Sequence, residues 1–389
     1  MSVLLLIIIY VAFISLGLPD SLLGSGWPII SVDLNTPLST AGLISMVISL
    51  GTVISSIMSD FLYRKLGTHK IVVASVFLTA VSLLGFYFSY HVIWFFVLAI
   101  PLGIGAGAID AALNHYVANH FKAKHMNWLH SFWGIGATIS PLIMGFAIAS
   151  TPSWRNGYLI VGIIQSILVI VLILTKFLWQ KNGQNNDQVL LKSNRLKDIK
   201  GLVPGLLTFF GYCALEASAG LWGASYLVNY QNLLPAHAAM VVSTYYLGIT
   251  VGRFINGFLT YKFDNRQLIR FGFVLITIGI VLLIFKSEYL FFIGFVLVGL
   301  GLSPIYPSML HETPKRFGAN NSSKLMGLQM ASAYIGTMTM PMLTGFITGF
   351  TGFWIYAMIL CVFLILMIIS NEFVNKLAYK AIESNDLKS

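Results

Sequence analysis

Residues 103–121 read GIGAGAIDAALNHYVANHF, and residues 299–317 read GLGLSPIYPSMLHETPKRF. Set side by side without a gap, Gly103, Gly105, Ile109, His115 and Phe121 meet Gly299, Gly301, Ile305, His311 and Phe317 at an offset of 196. The duplication extends to both sides. Leu50-Gly51 with Phe61-Leu62 and Lys65 recurs as Leu247-Gly248 with Phe258-Leu259 and Lys262, an offset of 197. Met126, Ile135-Gly136, Pro141 and Gly145 recur as Met326, Ile335-Gly336, Pro341 and Gly345, an offset of 200. Each match alone is weak. Three segments at nearly one offset describe a chain built twice.

Composition says which solvent surrounds it. Of 389 residues, 57% are hydrophobic and 9% charged, against roughly 25% charged in soluble domains, whose surface must face water. Most of this surface therefore meets lipid. Disorder and a disulfide scaffold are excluded on the same grounds. Cys213 and Cys361 both lie in apolar runs and read as buried free thiols, neither a bridge nor a metal pair. The net charge of +10 is read as basic loops at one membrane face, with no nucleic-acid partner. The apolar run from Val3 has no preceding Lys or Arg and no small-residue cleavage site, so it is expected to stay as a first span.

Spanning helices need roughly twenty mostly apolar residues. Twelve such spans are predicted, at 3–32, 38–62, 70–89, 92–121, 127–150, 156–178, 203–231, 236–261, 268–285, 289–312, 324–349 and 352–378. No segment alternates as the strands of a membrane barrel do. The fold class is an all-α polytopic membrane protein. Basic residues cluster after even-numbered spans: Arg64, Lys65 and Lys70; Lys122 and Lys124; the 176–200 cluster; Lys262, Arg266 and Arg270; Lys315, Arg316 and Lys324. The opposite loops carry Arg155 and Lys286. That asymmetry predicts both termini in the cytoplasm, with the chain in the plasma (inner) membrane. The polar stretch 179–202 divides the spans six and six, giving an N-terminal bundle over 1–178, a cytoplasmic linker over 179–202 and a C-terminal bundle over 203–389. Because six is even, the halves share one topology and form parallel repeats about the membrane normal.

Charges inside the hydrocarbon cost at least about 2.5–3.5 kcal/mol on insertion scales, so they point to function by default. Four stand out: Asp20 in span 1, Asp110 in span 4, Glu216 in span 7 and Arg253 in span 8. Asp20 with Gly24 and Glu216 with Gly220 are repeat mates. A carboxylate in a poorly hydrated site takes up a proton more readily, which is the chemistry proton coupling needs. Competing structural readings stay open. Asp20 follows Pro19 and could serve only the broken backbone. Asp110 and Asn114, four apart on one face, line a cavity or bond a neighbouring helix. Glu216 either faces solute or pairs with Arg253. Arg253, next to the small-residue seam Gly248 to Gly252, reads as an architectural charge reaching toward the inner interface.

Trp27, Trp133, Trp222, Tyr226 and Tyr306 share helices with these charges. Ring faces beside hydrogen-bonding groups suit a sugar, which offers C–H faces and hydroxyls, although belt and packing roles compete at every one of these positions. Tyr306, repeat mate of Asp110 between Pro304 and Pro307, is the foremost aromatic candidate. Other motifs are refused. His115, His120, His125 and His130 are five apart, each rotated about 140° from the last, and share no face for a metal. His311-Glu312 lacks a second His. No phosphate-binding loop is present, and Gly103, Gly105 and Gly107 follow no strand, so nucleotide-driven and dinucleotide chemistry are excluded. No cofactor is expected.

Gly17-Leu18-Pro19-Asp20 with Gly24, Gly26-Trp27-Pro28, Asp110-Ala111-Ala112-Leu113-Asn114 and Asn127-Trp128-Leu129-His130-Ser131-Phe132 together resemble the fucose–galactose–glucose:proton symporter family of the major facilitator superfamily. Glu216 with Gly220 and Trp222 is similar to that family's sodium–glucose-like branch. The superfamily resemblance covers the whole chain, and the family motifs cover spans 1, 4, 5 and 7. The resemblance implies that Asp20 and Asp110 face a central cavity and carry protonation and sugar binding, and those roles transfer to these two alone; Asn127 and His130 are further candidate solute contacts. The sequence departs from the fucose permeases at Asp110 (their Glu), Gly17 (their Asn) and His130 (their Gln), and Arg64-Lys65-Leu66-Gly67 lacks the usual loop Asp. The expectation is a non-enzymatic, monomeric carrier moving a small solute with protons as the coupling ion. Sodium coupling and proton-driven export of a drug or lipid-like solute are the alternatives.

Overall fold

In a computed structural model the described residues are 3–121, 123–151, 153–179, 199, 201–317 and 319–386. They form α1 (Val3–Asp33), α2 (Thr40–Ile57), α3 (Ser59–Leu66), α4 (Thr68–Tyr87), α5 (Ile93–His120), α6 (Ala123–Ser150) and α7 (Trp154–Leu174). The second half continues with α8 (Leu202–Asn229), α9 (Pro235–Leu259), α10 (Asn265–Ile284), α11 (Glu288–Leu302), α12 (Ile305–Phe317), α13 (Ala319–Thr351) and α14 (Tyr356–Asp386). Among the described residues, eleven stretches of helix are long and apolar enough to cross a bilayer. The remaining predicted span, 324–349, lies within α13. That helix has 33 residues, ample length, but its Asn, Ser, Gln, Thr and Gly content makes it the most polar of the set.

Two predicted spans are broken rather than continuous. The run 38–62 splits at Met58 into α2 and α3. The run 289–312 splits at Ser303 and Pro304 into α11 and α12, because Pro304 cannot donate the backbone bond that would carry the helix across. Most of the predicted linker, 180–198 and 200, lies outside the described residues.

The halves pair their helices alike. In the first, α1 packs on α6, α2 on α5 and α4 on α5; in the second, α8 packs on α13, α9 on α11 and α10 on α11. The correspondence reaches single atoms. A Cβ at Gly103 would strike the carbonyl oxygen of Ile48, and one at its mate Gly299 would strike that of Tyr245. Gly136 likewise abuts the Ile14 carbonyl, and Gly336 that of Phe210. Glycine here lets backbones meet at distances no side chain permits, the way membrane helices gain packing energy when lipid is as apolar as they are.

Across the halves the main contacts are α6 with α9, α2 with α13 and α1 with α8. Gly24 faces the backbone of Gly220 and Leu221, Gly42 that of Pro341 and Met342, and Gly145 the Ala236 carbonyl. All lie toward the end of the bundle where α1 finishes. At the other end, where α1 begins, the first half keeps a core of its own: Leu5 to Leu16, Ile71 to Val76, Ala108 to Val117, Leu129, and Leu168 to Trp179. The larger core contains residues of both halves, among them Leu22, Ile30, Ile44 and Met144 with Leu215, Leu227 and Val241. The halves are fused at one end and parted at the other.

Candidate functional site between the two halves

Pro19 and Pro28 interrupt α1, and Pro141 interrupts α6. A proline leaves the carbonyl four residues earlier without its helical donor. For Pro19 that is the Ser15 carbonyl, and the Gln165 side chain of α7 donates to it. For Pro141 it is the Ala137 carbonyl, which accepts from the Ser21 hydroxyl at 2.8 Å. The broken backbone is thus served by Gln165 and Ser21. The Asp20 carboxylate is left for another purpose.

Asp20 is exposed although it sits midway along α1, which places it on the cleft between the halves. Its Oδ2 accepts a hydrogen bond from the Trp133 indole N–H at 2.7 Å. Above the Trp133 ring, 5.2 Å from its centroid, lies the Arg253 guanidinium, carried by α9 from the other half. Arg253 pairs with Glu216 of α8 at 3.6 Å and donates to the His130 carbonyl of α6 at 3.5 Å. Tyr212 donates to Glu216 Oε1 at 3.1 Å, and its ring meets Tyr306 at a centroid distance of 5.4 Å. His130 is itself exposed, its ring edge-on to Phe13. Asp20, Trp133, Arg253, Glu216, Tyr212 and Tyr306 thus form one chain of polar and ring contacts across the gap.

Side-chain exposures of 19% and 23% for Arg253 and Glu216 mean that water reaches the pair. Its Coulomb attraction is therefore partly screened, and a better partner can compete for either group. Arg253, read from its seam as an architectural charge reaching toward the inner interface, touches Glu216 of its own half and the His130 carbonyl of the other. It is central and spans the halves, because α6 and α9 form one of their contacts.

Asp110 and Asn114 do share a face of α5. The Asn114 amide donates to Asp110 Oδ1 and to the Asp110 carbonyl, each at 2.9 Å. Both are half-buried, and the pair is closed on its own helix, leaving one carboxylate oxygen uncommitted by that bond. The Asn127 side chain lies outside the described residues.

Three aromatic assignments are corrected. Trp27 is fully buried and donates its indole N–H to the Leu38 carbonyl at 2.7 Å. Trp222 is fully buried and donates to the Pro341 carbonyl at 2.8 Å. Tyr226 gives its hydroxyl proton to the Leu283 carbonyl at 2.6 Å and accepts from Gln231. Their polar atoms are spent on carbonyls of their own half, so all three serve packing within that half. Conversely, sequence reasoning missed Tyr212 and Tyr245, whose hydroxyl donates to the Glu216 carbonyl at 2.9 Å. Tyr212 stands one helical turn before Glu216, a spacing that could have revealed it. Thr138 and Thr250, facing each other across α6 and α9 at 3.4 Å, carried no such signal.

Two like-built helical halves, joined at one end and carrying charged side chains on the cleft where they part, define an integral multi-pass membrane protein of the carrier type. The family model of the Major Facilitator Superfamily matches the chain twice, over residues 9–204 and 204–377, and the chain belongs to that superfamily of transporters. Among curated relatives, Bypass of stop codon protein 6 of Saccharomyces cerevisiae is 22% identical over 308 residues, covering 68% of this chain and 60% of that protein. The glucose/mannose transporter GlcP of Bacillus subtilis is 23% identical over 318 residues, 77% of each chain. A crystal structure of a mutant form of the nucleoside transporter NupG superposes with a TM-score of 0.77 at 12% identity, covering 95% of this chain and 98% of that one. At that identity the likeness speaks for the fold alone.

Proposed function

We propose that the chain is a proton-coupled symporter of a sugar or similar polyhydroxylated small solute, of the fucose–galactose–glucose:proton symporter type, working by alternating access in the plasma membrane with both termini cytoplasmic. The observation that carries the reading is Asp20, a water-exposed carboxylate midway along α1, held by the indole N–H of Trp133, whose ring in turn carries an arginine from the other half. Asp20 exchanges the proton, while Asp110, with Asn114 and Tyr306, contributes to binding solute. Closing the cleft strips water from any unpaired carboxylate at a cost of several kcal/mol. Protonation removes one charge and solute hydroxyls satisfy the other, so the loaded carrier crosses more readily than the empty one. The resemblance to GlcP over most of both chains supports a sugar.

Counterflow and pH-driven uptake of a panel of labelled sugars into proteoliposomes test this. Accumulation driven by an inward proton gradient, abolished by uncoupler and indifferent to sodium, is the expected result. Uptake that follows sodium and ignores pH, or an absence of exchange with every sugar alongside proton-driven export of an amphiphile, overturns it.

A further inference from the structure

Outside the central cleft, one groove combines charge with apolar surface. It lies on the lipid-facing seam between α4 and α7, has a volume of about 350 Å³, and is lined by His69, Lys70, Val73, Phe77, Ile173 and Lys176 among others. Lys70 and Lys176 are exposed at its end nearest the start of α1, and neither has an ion-pair partner among the described residues. His69 Nε2 bonds the Leu172 carbonyl at 2.8 Å and so ties α4 to α7 across the seam. Beyond the lysines the floor is hydrocarbon: Phe77 and Ile173 are both more than half exposed, at 55% and 54%.

The pseudo-symmetric seam of the second half explains why this matters. There α10 meets α14, Arg266 stands at the place of His69 and Arg270 at that of Val73. Arg270 forms a two-point ion pair with Glu372, at 3.0 and 2.6 Å, and Arg266 lies 3.8 Å from Glu312. The second half supplies carboxylates for its seam cations, and the first half places none beside Lys70 and Lys176 among the described residues. A further groove, along α9, α10 and α11, is lined by no charged residue at all. Of these two grooves, the seam between α4 and α7 is the one that offers cations above and acyl-sized apolar surface below.

We propose that this seam binds an anionic phospholipid, its headgroup phosphate between Lys70 and Lys176 and an acyl chain along Val73, Phe77 and Ile173. The lysines sit at the face the loop charges assign to the cytoplasm, where anionic headgroups attract basic residues at about 1 kcal/mol each. A free phosphate would need only the lysines. The apolar floor commits the site to lipid.

The test is native mass spectrometry of the full-length protein in neutral detergent, titrated separately with phosphatidylglycerol, phosphatidylcholine and glycerol 3-phosphate. Phosphatidylglycerol is expected to be retained in preference to phosphatidylcholine, with no saturable uptake of glycerol 3-phosphate. The double variant Lys70→Gln/Lys176→Gln should bind phosphatidylglycerol roughly 30-fold more weakly. Lys262→Gln/Lys286→Gln, altered elsewhere on the surface, should bind as the parent does. Both pairs are exposed, so loss of folding does not confuse the result. Equal retention of the two lipids, unchanged binding by the seam variant, equal loss in the control variant, or saturable glycerol 3-phosphate binding each overturns the proposal.

Discussion

At the scale of single residues, what separates a working carboxylate from a structural one is where its neighbours spend their hydrogen bonds. Gln165 and Ser21 take over the carbonyls freed by Pro19 and Pro141, so Asp20 is released for the cleft. Asp20→Asn is permanently neutral and should lose proton-driven accumulation while keeping exchange of bound solute; Asp110→Asn should lose both. If both variants concentrate solute like the parent, the mechanism is wrong. Trp133→Phe removes the donor to Asp20 but keeps the ring beneath Arg253. A hydrogen bond to a charged group contributes about 1.5–3 kcal/mol, and the site is wet, so about a tenfold weaker proton-driven uptake is expected at unchanged expression. Gln165→Leu leaves the buried Ser15 carbonyl without a partner and should cost about 1–3 kcal/mol of stability, read as a lower melting temperature in detergent. The sequence revealed Asp20, Glu216 and Arg253 because charge is expensive in lipid wherever it points. It could not sort Trp133 from Trp27 and Trp222, since all three are tryptophans beside polar helix positions. Only the neighbouring helix decides whether an indole N–H meets a carboxylate or a backbone carbonyl.

At the scale of helices, the repeat visible in sequence becomes a set of equivalent seams. Gly136 and Gly336 touch carbonyls of α1 and α8 at matching places. Gly136→Leu or Gly336→Leu should therefore prevent a monodisperse peak on size-exclusion chromatography. Gly257, with nothing within 4 Å of an added Cβ, is the contrast: Gly257→Ala should fold normally and gain up to about 1 kcal/mol from helix propensity. Hydropathy found the elements because burial in lipid makes whole helices apolar. It missed the breaks at Met58 and at Ser303-Pro304, since a short interruption inside an apolar run leaves the average almost unchanged. It also placed α13 correctly while overrating its apolarity, because that helix spends its polar residues on protein neighbours and the cleft.

At the scale of the molecule, the halves meet along an end that a cross-link can reach. A Cβ at Gly349 would lie 3.7 Å from the Cβ of Ser39, within the range a disulfide requires. In a background lacking Cys213 and Cys361, Ser39→Cys/Gly349→Cys should oxidise spontaneously, stop transport, and recover on reduction. Transport that continues through the intact cross-link would show that this end need not part. Cysteines at Lys65 and Lys262 should label from the cytoplasm and those at Arg155 and Lys286 from outside, and one site on the wrong side breaks the orientation. The fused end also has a thermal consequence. Its seam is apolar, built from Ile30, Ile44 and Met144 against Leu227 and Val241, and parting it wets that surface rather than handing it to lipid. Wetting apolar surface raises heat capacity, and the penalty shrinks on cooling. The balance between the two faces should therefore bend with temperature instead of following a straight van't Hoff line, with the fused end opening more readily in the cold.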